Sequence, residues 1–268
     1  MSAAGLTLRQ VRFTNKAFWR NPASAFFTFA FPLMFLVIFT SLLGSGDAKI
    51  NGVFINQATY YVVTMASFGV ISATFTNIAI SVTFQREAGI LKRTRGTPLP
   101  GGAYLSGRVT HAMLVSFVLV AITMAFGVAF YSAGVPSGIA LVEFLITLVV
   151  GGLSFSALAL ALTSIVPNAE AAPAVVNAVV LPLLFLSGIF IPIIDSSPEW
   201  IKIIGRIFPV KHFADAMQAG FLPDVMVKTP AGLEQAFPFD WWDVVFVALW
   251  GVAGLLLAAR YFSWEPRK

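Results

Sequence analysis

Cysteine is absent from this 268-residue sequence, and histidine occurs only twice. Without cysteine the chain can form neither a disulfide, a thiol nucleophile nor a thiolate metal site. The two histidines, His111 and His212, belong to no His-Glu-x-x-His motif and to no carboxylate cluster with the spacing of metal ligands. Metal catalysis is therefore not expected.

Two further catalytic motifs are missing. No Gly-x-x-x-x-Gly-Lys-[Ser/Thr] loop is present to bind nucleotide phosphates, and the Gly-x-Ser-x-Gly pattern of a serine nucleophile does not occur. We therefore expect that the chain is not an enzyme and binds no cofactor. Any ATP that drives its function would have to be hydrolysed by another chain.

Charged residues are also scarce, at 11% of the chain against 58% hydrophobic residues, whereas a soluble domain is about 25% charged. Six apolar runs approach the ~20 residues that cross the hydrocarbon core of a bilayer. The runs are Ala25–Leu43, Tyr60–Phe84, Val109–Tyr131, Ile139–Val166, Ala174–Ile194 and Val244–Phe262. The sequence thus predicts an all-α integral membrane protein with six transmembrane helices, forming a single transmembrane domain over residues 1–268.

The Lys and Arg residues at the ends of these runs and between them are divided unequally. Twelve fall on the side that holds both termini and the segment after the second run, and five fall on the other side. Since cytoplasmic loops carry the excess of positive charge, both termini are predicted to be cytoplasmic in a multi-pass protein of the cell (inner) membrane. This distribution also explains the net charge of +5 without a nucleic-acid partner.

The segment before the first apolar run, residues 1–24, carries a basic stripe. Arg9, Arg12, Lys16 and Arg20 recur at steps of three and four residues, so they share one face of a helix. This spacing predicts an amphipathic helix in contact with membrane lipid at the inner leaflet, with a solvated basic tail as the alternative. The first run lacks a small-residue cleavage pattern and is predicted to be a retained helix.

Two connecting segments carry further predictions. Residues 85–102 contain a short, charged helix candidate that ends before Pro98. Residues 195–243 form the only long connection, and the apolar spacing around Trp200 predicts helical structure against the outer leaflet. Between these segments, Pro182, Gly188 and Pro192 interrupt the fifth run, as in broken membrane helices that line a cavity or are buried in protein.

Three ionisable residues near the apolar runs bear on a proton-coupled mechanism. His111, Glu143 and Glu170 all lie close to the ends of runs, which favours interfacial or helix-start positions over the deep positions that a proton carrier needs. The fourth run also has a lane of small residues that includes Gly151 and Gly152. Such lanes let membrane helices approach closely, either within one subunit or at a dimer interface.

Three segments together resemble one family. They are Arg20-Asn21-Pro22, the charged segment from Phe84 to Pro100, and the stretch that runs from Leu186-Ser187-Gly188 through Pro198-Glu199-Trp200 and Phe208-Pro209 to His212-Phe213-Ala214-Asp215-Ala216. They are similar to segments of the ABC type 2 (ABC-2) exporter permeases, the membrane subunits of bacterial drug, antibiotic and polysaccharide exporters.

The resemblance implies roles for two groups of residues. The proposed ATPase-coupling residues are Arg86, Glu87, Gly89, Ile90, Leu91 and Lys92. The helix break and the external helical hairpin before the last span contain Pro182, Gly188, Pro192, Trp200 and Pro209. The resemblance also implies a homo- or heterodimer of permeases that is paired with separate ATP-binding cassette ATPase subunits, which use ATP and Mg.

The sequence as a whole therefore predicts the permease subunit of an ATP-driven exporter. Hydrophobic drugs or antibiotics are the preferred substrates, because the spans are apolar and aromatic. Polysaccharide or lipid-linked glycan is the alternative substrate, which an aromatic row along the path would favour. A proton-coupled secondary carrier, a membrane-embedded enzyme and a membrane scaffold are the rival functions from other classes.

Overall fold

The structure is a computed structural model that describes residues 2–50, 53–194, 196–223, 225–229 and 232–266. The helices in this part of the chain are α1 (Ala3–Trp19), α2 (Pro22–Leu43), α3 (Gln57–Ile71), α4 (Asn77–Glu87), α5 (Ile90–Arg95), α6 (Gly101–Tyr131), α7 (Gly138–Thr163), α8 (Ala172–Phe185), α9 (Glu199–Ile207), α10 (Pro209–Phe221) and α11 (Trp241–Tyr261). Two antiparallel β-hairpins pair β1 (Asp47–Ile50) with β2 (Val53–Asn56), and β3 (Met226–Thr229) with β4 (Gly232–Gln235).

Five helices in the described residues are long and apolar enough to cross a membrane. They are α2, α6, α7, α11 and the continuous helix Gln57–Glu87, in which a π-helical turn at Ser72–Thr76 joins α3 to α4. A sixth apolar helix, α8, has only 14 residues. The prediction of an all-α membrane fold is confirmed, although the two short hairpins were not anticipated.

The fifth apolar run, Ala174–Ile194, is interrupted as its proline and glycine residues predicted, and the break lies at Gly188 and not at Pro182, which is inside α8. Helix α8 ends at Phe185, so it is about 21 Å long, shorter than the ~30 Å hydrocarbon core. Gly188 then adopts a left-handed conformation with a φ of 84°, which is accessible to glycine at little cost. The chain turns there and leads into the predicted external hairpin, which consists of α9 and α10.

The lane of small residues on α7 is used for packing inside the chain. A Cβ atom at Gly251 of α11 would lie 2.3 Å from the hydroxyl of Ser154 on α7, and one at Gly151 would lie 2.2 Å from the ring of Phe213 on α10. Glycine is therefore required where these helices meet. Of the two arrangements that the sequence left open, the structure shows the one within a subunit.

Helix α1 packs against the beginning of α6. The Thr7 and Ser106 hydroxyl oxygens are 3.2 Å apart, and a Cβ atom at Gly107 would lie only 2.6 Å from the side chain of Gln10. The basic residues of the stripe point away from α6 and are exposed: they are Arg9, Arg12, Lys16 and Arg20. The predicted amphipathic helix is present, and it is fixed to the same end of the helix bundle as α5.

Candidate functional site

The candidate coupling segment is a sharp turn between α4 and α5. Helix α4 ends at Glu87, and Gly89 has a φ of 69°, so the backbone reverses direction there before α5 begins. A residue with a Cβ atom would be strained in this left-handed conformation. The amide of Arg93 donates to the carbonyl of Gly89, which closes the first turn of α5. Gly89 thus sets the angle at which α5 leaves the bundle.

Arg86 fixes this turn to α7. Its side chain is only 1% exposed, and its Nη1 and Nη2 atoms donate to the carbonyl oxygens of Thr163 at 2.7 Å and Val166 at 2.8 Å. Its Nε atom donates to Glu87 at 2.9 Å. Since Thr163 ends α7, the guanidinium lies at the negative end of that helix dipole. A movement of the turn would therefore be transmitted directly to α7.

The other predicted coupling residues differ in what they offer to a partner. Leu91 is completely buried, whereas Ile90 is 40% exposed, and Lys92 is exposed. Glu87 is mostly covered and is engaged by Arg86. The resemblance placed both Ile90 and Leu91 among the residues that contact the ATPase, but the structure corrects this for Leu91, which belongs to the core. Ile90 and Lys92 are the members of the set that can contact another chain.

The second predicted group lies at the opposite end of the bundle. The Tyr60 hydroxyl donates to the carbonyl of Gly188 at 2.7 Å, which ties the helix break to the beginning of α3. Tyr60 and Arg86 are 26 residues apart on the continuous Gln57–Glu87 helix, or about 39 Å. The structure therefore does not bring the two predicted groups together. It joins them through that one helix.

Three prolines and a tryptophan surround this helix break. Pro182 lies inside α8 and its carbonyl accepts from the amide of Leu186, one residue past the end of the helix. Pro192 lines a 170 Å³ cavity beside Gly188. Pro209 begins α10 and is buried, whereas Trp200 on α9 is exposed. Proline at the first position of α10 suits that helix, because its missing N–H would have no partner there.

The sequence interpretation missed an ion pair in the same cavity. The Nζ atom of Lys211 contacts both carboxylate oxygens of Asp215, at 2.8 and 2.7 Å, across one turn of α10. Burial raises the pKa of Asp215, and the nearby Lys211 opposes this effect. The i, i+4 spacing of a lysine and an aspartate is visible in the sequence, but Asp215 was noted there only as part of the segment from His212 to Ala216 that resembles the family.

The two histidines and the two glutamates near the apolar runs differ in burial and in hydrogen bonding. The Nδ1 atom of His212 is 2.5 Å from Asp243 on α11, and its Nε2 atom is 2.9 Å from the carbonyl of Arg206 on α9, so it joins three helices. Glu143 lies in the second turn of α7 and Glu170 is exposed in the connection to α8. His111 is buried, and no hydrogen-bond partner for its Nε2 atom is found among the described residues.

Comparison with known proteins assigns the chain to a family. The model of the family described as "ABC-2 type transporter" matches residues 7–222, which include both predicted groups. The chain belongs to the ABC-2 type transporter family. The all-helical bundle and the apolar helices agree with this assignment, and the chain is a multi-pass membrane protein.

Two bacterial ABC transporter permeases are similar to the chain. The "Probable multidrug ABC transporter permease YbhR" of Escherichia coli K12 is 27% identical over 182 residues, which cover 68% of this chain and 47% of that protein. The chain thus spans about half the length of this relative. The "Daunorubicin resistance ABC transporter permease protein DrrB1" of Streptomyces coeruleorubidus is 26% identical over 216 residues, covering 80% of this chain and 74% of the relative.

Proposed function

We propose that the chain is the membrane-spanning permease subunit of an exporter that is driven by a separate ATP-binding cassette ATPase, which uses ATP and Mg. The observation that carries this proposal is the anchorage of the α4–α5 turn to α7 by the buried Arg86. The turn presents the exposed Ile90 to a partner and is also locked to a long apolar helix. Such a connection is what an ATPase on another chain needs to move the helices.

Hydrophobic drugs or antibiotics are the proposed substrates. A 500 Å³ cavity between α7, α8 and α11 is lined almost entirely by apolar side chains, among them Phe155, Leu183, Trp250 and Leu257. Pockets of this size and character suit drug-sized apolar molecules. The printed names of both relatives, one multidrug and one daunorubicin resistance, support the same substrate class.

Export of polysaccharide or lipid-linked glycan is the second candidate, because of an aromatic row on α2. The rings of Phe27, Phe31, Phe35 and Phe39 follow one another at 5.8 to 6.1 Å between centroids, and Tyr61 of α3 stacks on Phe39 at 5.3 Å. Substitution of Phe31 by leucine keeps the row apolar but interrupts the stacking. The Phe31→Leu change should therefore impair glycan export more than drug efflux.

The exporter proposal is tested by coexpression with an ATP-binding cassette ATPase encoded beside the gene. The tagged chain should retain the ATPase during purification, and cells that hold both should extrude preloaded daunorubicin. Replacement of the ATP-binding lysine of the ATPase should stop this efflux, whereas the proton gradient should not be required. Efflux that persists without an active ATPase but stops when the proton gradient is dissipated would contradict the proposal and favour a secondary carrier.

Orientation is a separate part of the proposal, with both termini in the cytoplasm and membrane lipid around the basic face of α1. Because the chain lacks cysteine, single cysteines at Thr97, after α5, and Ser137, before α7, would be the only thiols. Only the cysteine at position 137 should react with an impermeant reagent outside intact cells. Labelling of both would show that the assigned orientation is wrong.

A further inference from the structure

A cavity of 680 Å³ lies among α1, α4, α5 and α6, at the end of the bundle that carries the α4–α5 turn. Its polar lining includes Gln10, Asn21, Ser81, Gln85, Arg108 and His111. Apolar side chains from the same helices complete the wall, among them Phe13 and Phe18. The cavity shares Ile90 with the proposed ATPase contact but does not include Arg86, and the proposed transport mechanism leaves its polar groups unexplained.

Two of these polar side chains are buried without full hydrogen bonding. Arg108 is 8% exposed and His111 is 7% exposed. Among the described residues, no acceptor is found for the Nε atom of Arg108, and no partner for the Nε2 atom of His111. A buried polar group without a partner costs about 1–3 kcal/mol, and more when it is charged. Both atoms are covered by neighbouring protein atoms, but their side chains form part of the cavity wall. Two under-bonded polar side chains in one wall favour a ligand that a small shift of these side chains would let them contact.

The charge of the cavity defines the kind of ligand. Arg108 uses its Nη1 atom to donate to Gln85 at 2.9 Å and its Nη2 atom to donate to Ser81 at 2.6 Å. Both acceptors are neutral, and the residues that line the cavity include no aspartate or glutamate. In the described part of the chain, Arg108 also forms no salt bridge. A buried guanidinium of this kind favours an anion, and its planar fork matches a phosphate.

The position of the cavity along α6 indicates that the anion is a lipid headgroup. Helix α6 has 31 residues and is therefore about 46 Å long, which exceeds the ~30 Å hydrocarbon core by about 16 Å. Arg108 lies about 10 Å from the first residue of α6. Helix α1, with its exposed basic stripe, packs on this same stretch through Thr7 and Ser106. These residues thus reach the level of the lipid headgroups.

We propose that this cavity binds the phosphate group of an anionic phospholipid, with Arg108 and His111 as its ligands. The apolar residues Phe13 and Phe18 would contact the first part of the acyl chains. The proposal goes beyond transport, because lipid bound at this place would join α1 to the α4–α5 turn whether or not a substrate is present.

Binding is measured on the purified full chain in dodecyl maltoside, from the rise in its unfolding midpoint as lipid is added. Dioleoyl phosphatidylglycerol is compared with zwitterionic dioleoyl phosphatidylcholine and with inorganic phosphate. The decisive variant is Gln85→Glu, which has nearly the same shape as the native side chain and places a carboxylate beside Arg108. Arg108→Gln and His111→Phe remove the ligands themselves, and Arg260→Gln is the control, since it removes one exposed positive charge elsewhere.

Phosphatidylglycerol should stabilise the native chain and the Arg260→Gln control equally. In Gln85→Glu the added carboxylate should pair with Arg108 and repel the phosphate, so the apparent affinity for phosphatidylglycerol should fall about tenfold or more, as expected when a hydrogen bond between charged groups is lost. Equal affinity of the native chain and Gln85→Glu would overturn the proposal, and so would equal stabilisation by phosphatidylcholine. A response to inorganic phosphate without a response to phosphatidylglycerol would overturn the lipid as the source of the anion.

Discussion

Replacement of Arg86 by methionine is expected to destabilise the protein by about 3–6 kcal/mol. The change removes the two charge-assisted hydrogen bonds to the carbonyls of Thr163 and Val166, each contributing about 1.5–3 kcal/mol. Glu87 also loses its ion-pair partner inside the protein. An effect of this size is a large part of the total stability of a typical domain, so little folded protein should accumulate.

The measurement is the yield of folded protein and its unfolding midpoint in detergent. Arg95→Met is the matched control, because it removes the same charge from an exposed position on α5; its effect should stay within about 0.5 kcal/mol. Arg86→Lys should lie between the two, since an ammonium group cannot reproduce the planar fork that reaches two carbonyls. If Arg86→Met and Arg95→Met are equally stable, Arg86 does not fix the turn to α7.

The long helices could be predicted from the sequence because hydropathy measures the property that places a helix in a bilayer. The first, fourth and last runs match α2, α7 and α11 to within three residues at each end, whereas the third run begins eight residues after the start of α6. The run Tyr60–Phe84 lies within one continuous helix. The amphipathic α1 was predictable for a related reason, since its basic residues repeat with the helical period. Each of these predictions depends only on neighbours in sequence.

The end of α8 shows where hydropathy fails. The residues that follow Phe185 are as apolar as those that precede it, so hydropathy alone extends the run to Ile194. Gly188 and Pro192 predicted an interruption, but not the residue at which the helix ends. The helix stops because of backbone conformation, with Gly188 in the left-handed region and its carbonyl held by Tyr60. Tyr60 is 128 residues away in the chain, and no local pattern reveals such a contact.

In the candidate coupling segment, the sequence likewise did not show which side chains are buried. Arg86 looked like one of several cationic residues in a basic loop, but its partners are 77 and 80 residues away. The six-residue helix α5 is also too short for its apolar period to show which side faces the core. The candidate coupling segment was thus selected by its motif, whereas the division into buried and exposed residues required the tertiary structure.

Because Ile90 is exposed and Leu91 is buried, the second prediction concerns Ile90. If α5 is the contact for an ATPase, the change Ile90→Ser should reduce both export and the ATPase activity of the copurified complex about tenfold. Apolar anchors at the centre of an interface commonly contribute more than 1 kcal/mol, which corresponds to this factor. Because Ile90 is 40% exposed, its replacement should change the stability of the isolated chain little.

The Leu91→Ala variant tests the contribution of α5 to folding, whereas Ile90→Ser tests docking. Leu91 is completely buried, so the change should lower the stability by about 2–5 kcal/mol through the cavity that it creates. A double variant with Glu87→Ala and Leu91→Ala would therefore mix a folding defect with any loss of coupling, although it keeps every positive charge. Ile90→Ser avoids this problem, and Ile139→Ser at the first turns of α7, which is also exposed, serves as its control.

The decisive comparison is made on protein of equal stability in the same membrane. Ile90→Ser should lose coupling while Ile139→Ser retains it, because only the first residue lies on the turn that Arg86 locks to α7. Native export and ATPase activity in Ile90→Ser would show that α5 is not the coupling contact, and the charges of this loop would then serve only to orient the chain. A loss of activity in both variants would point instead to a general sensitivity to polar residues on the surface.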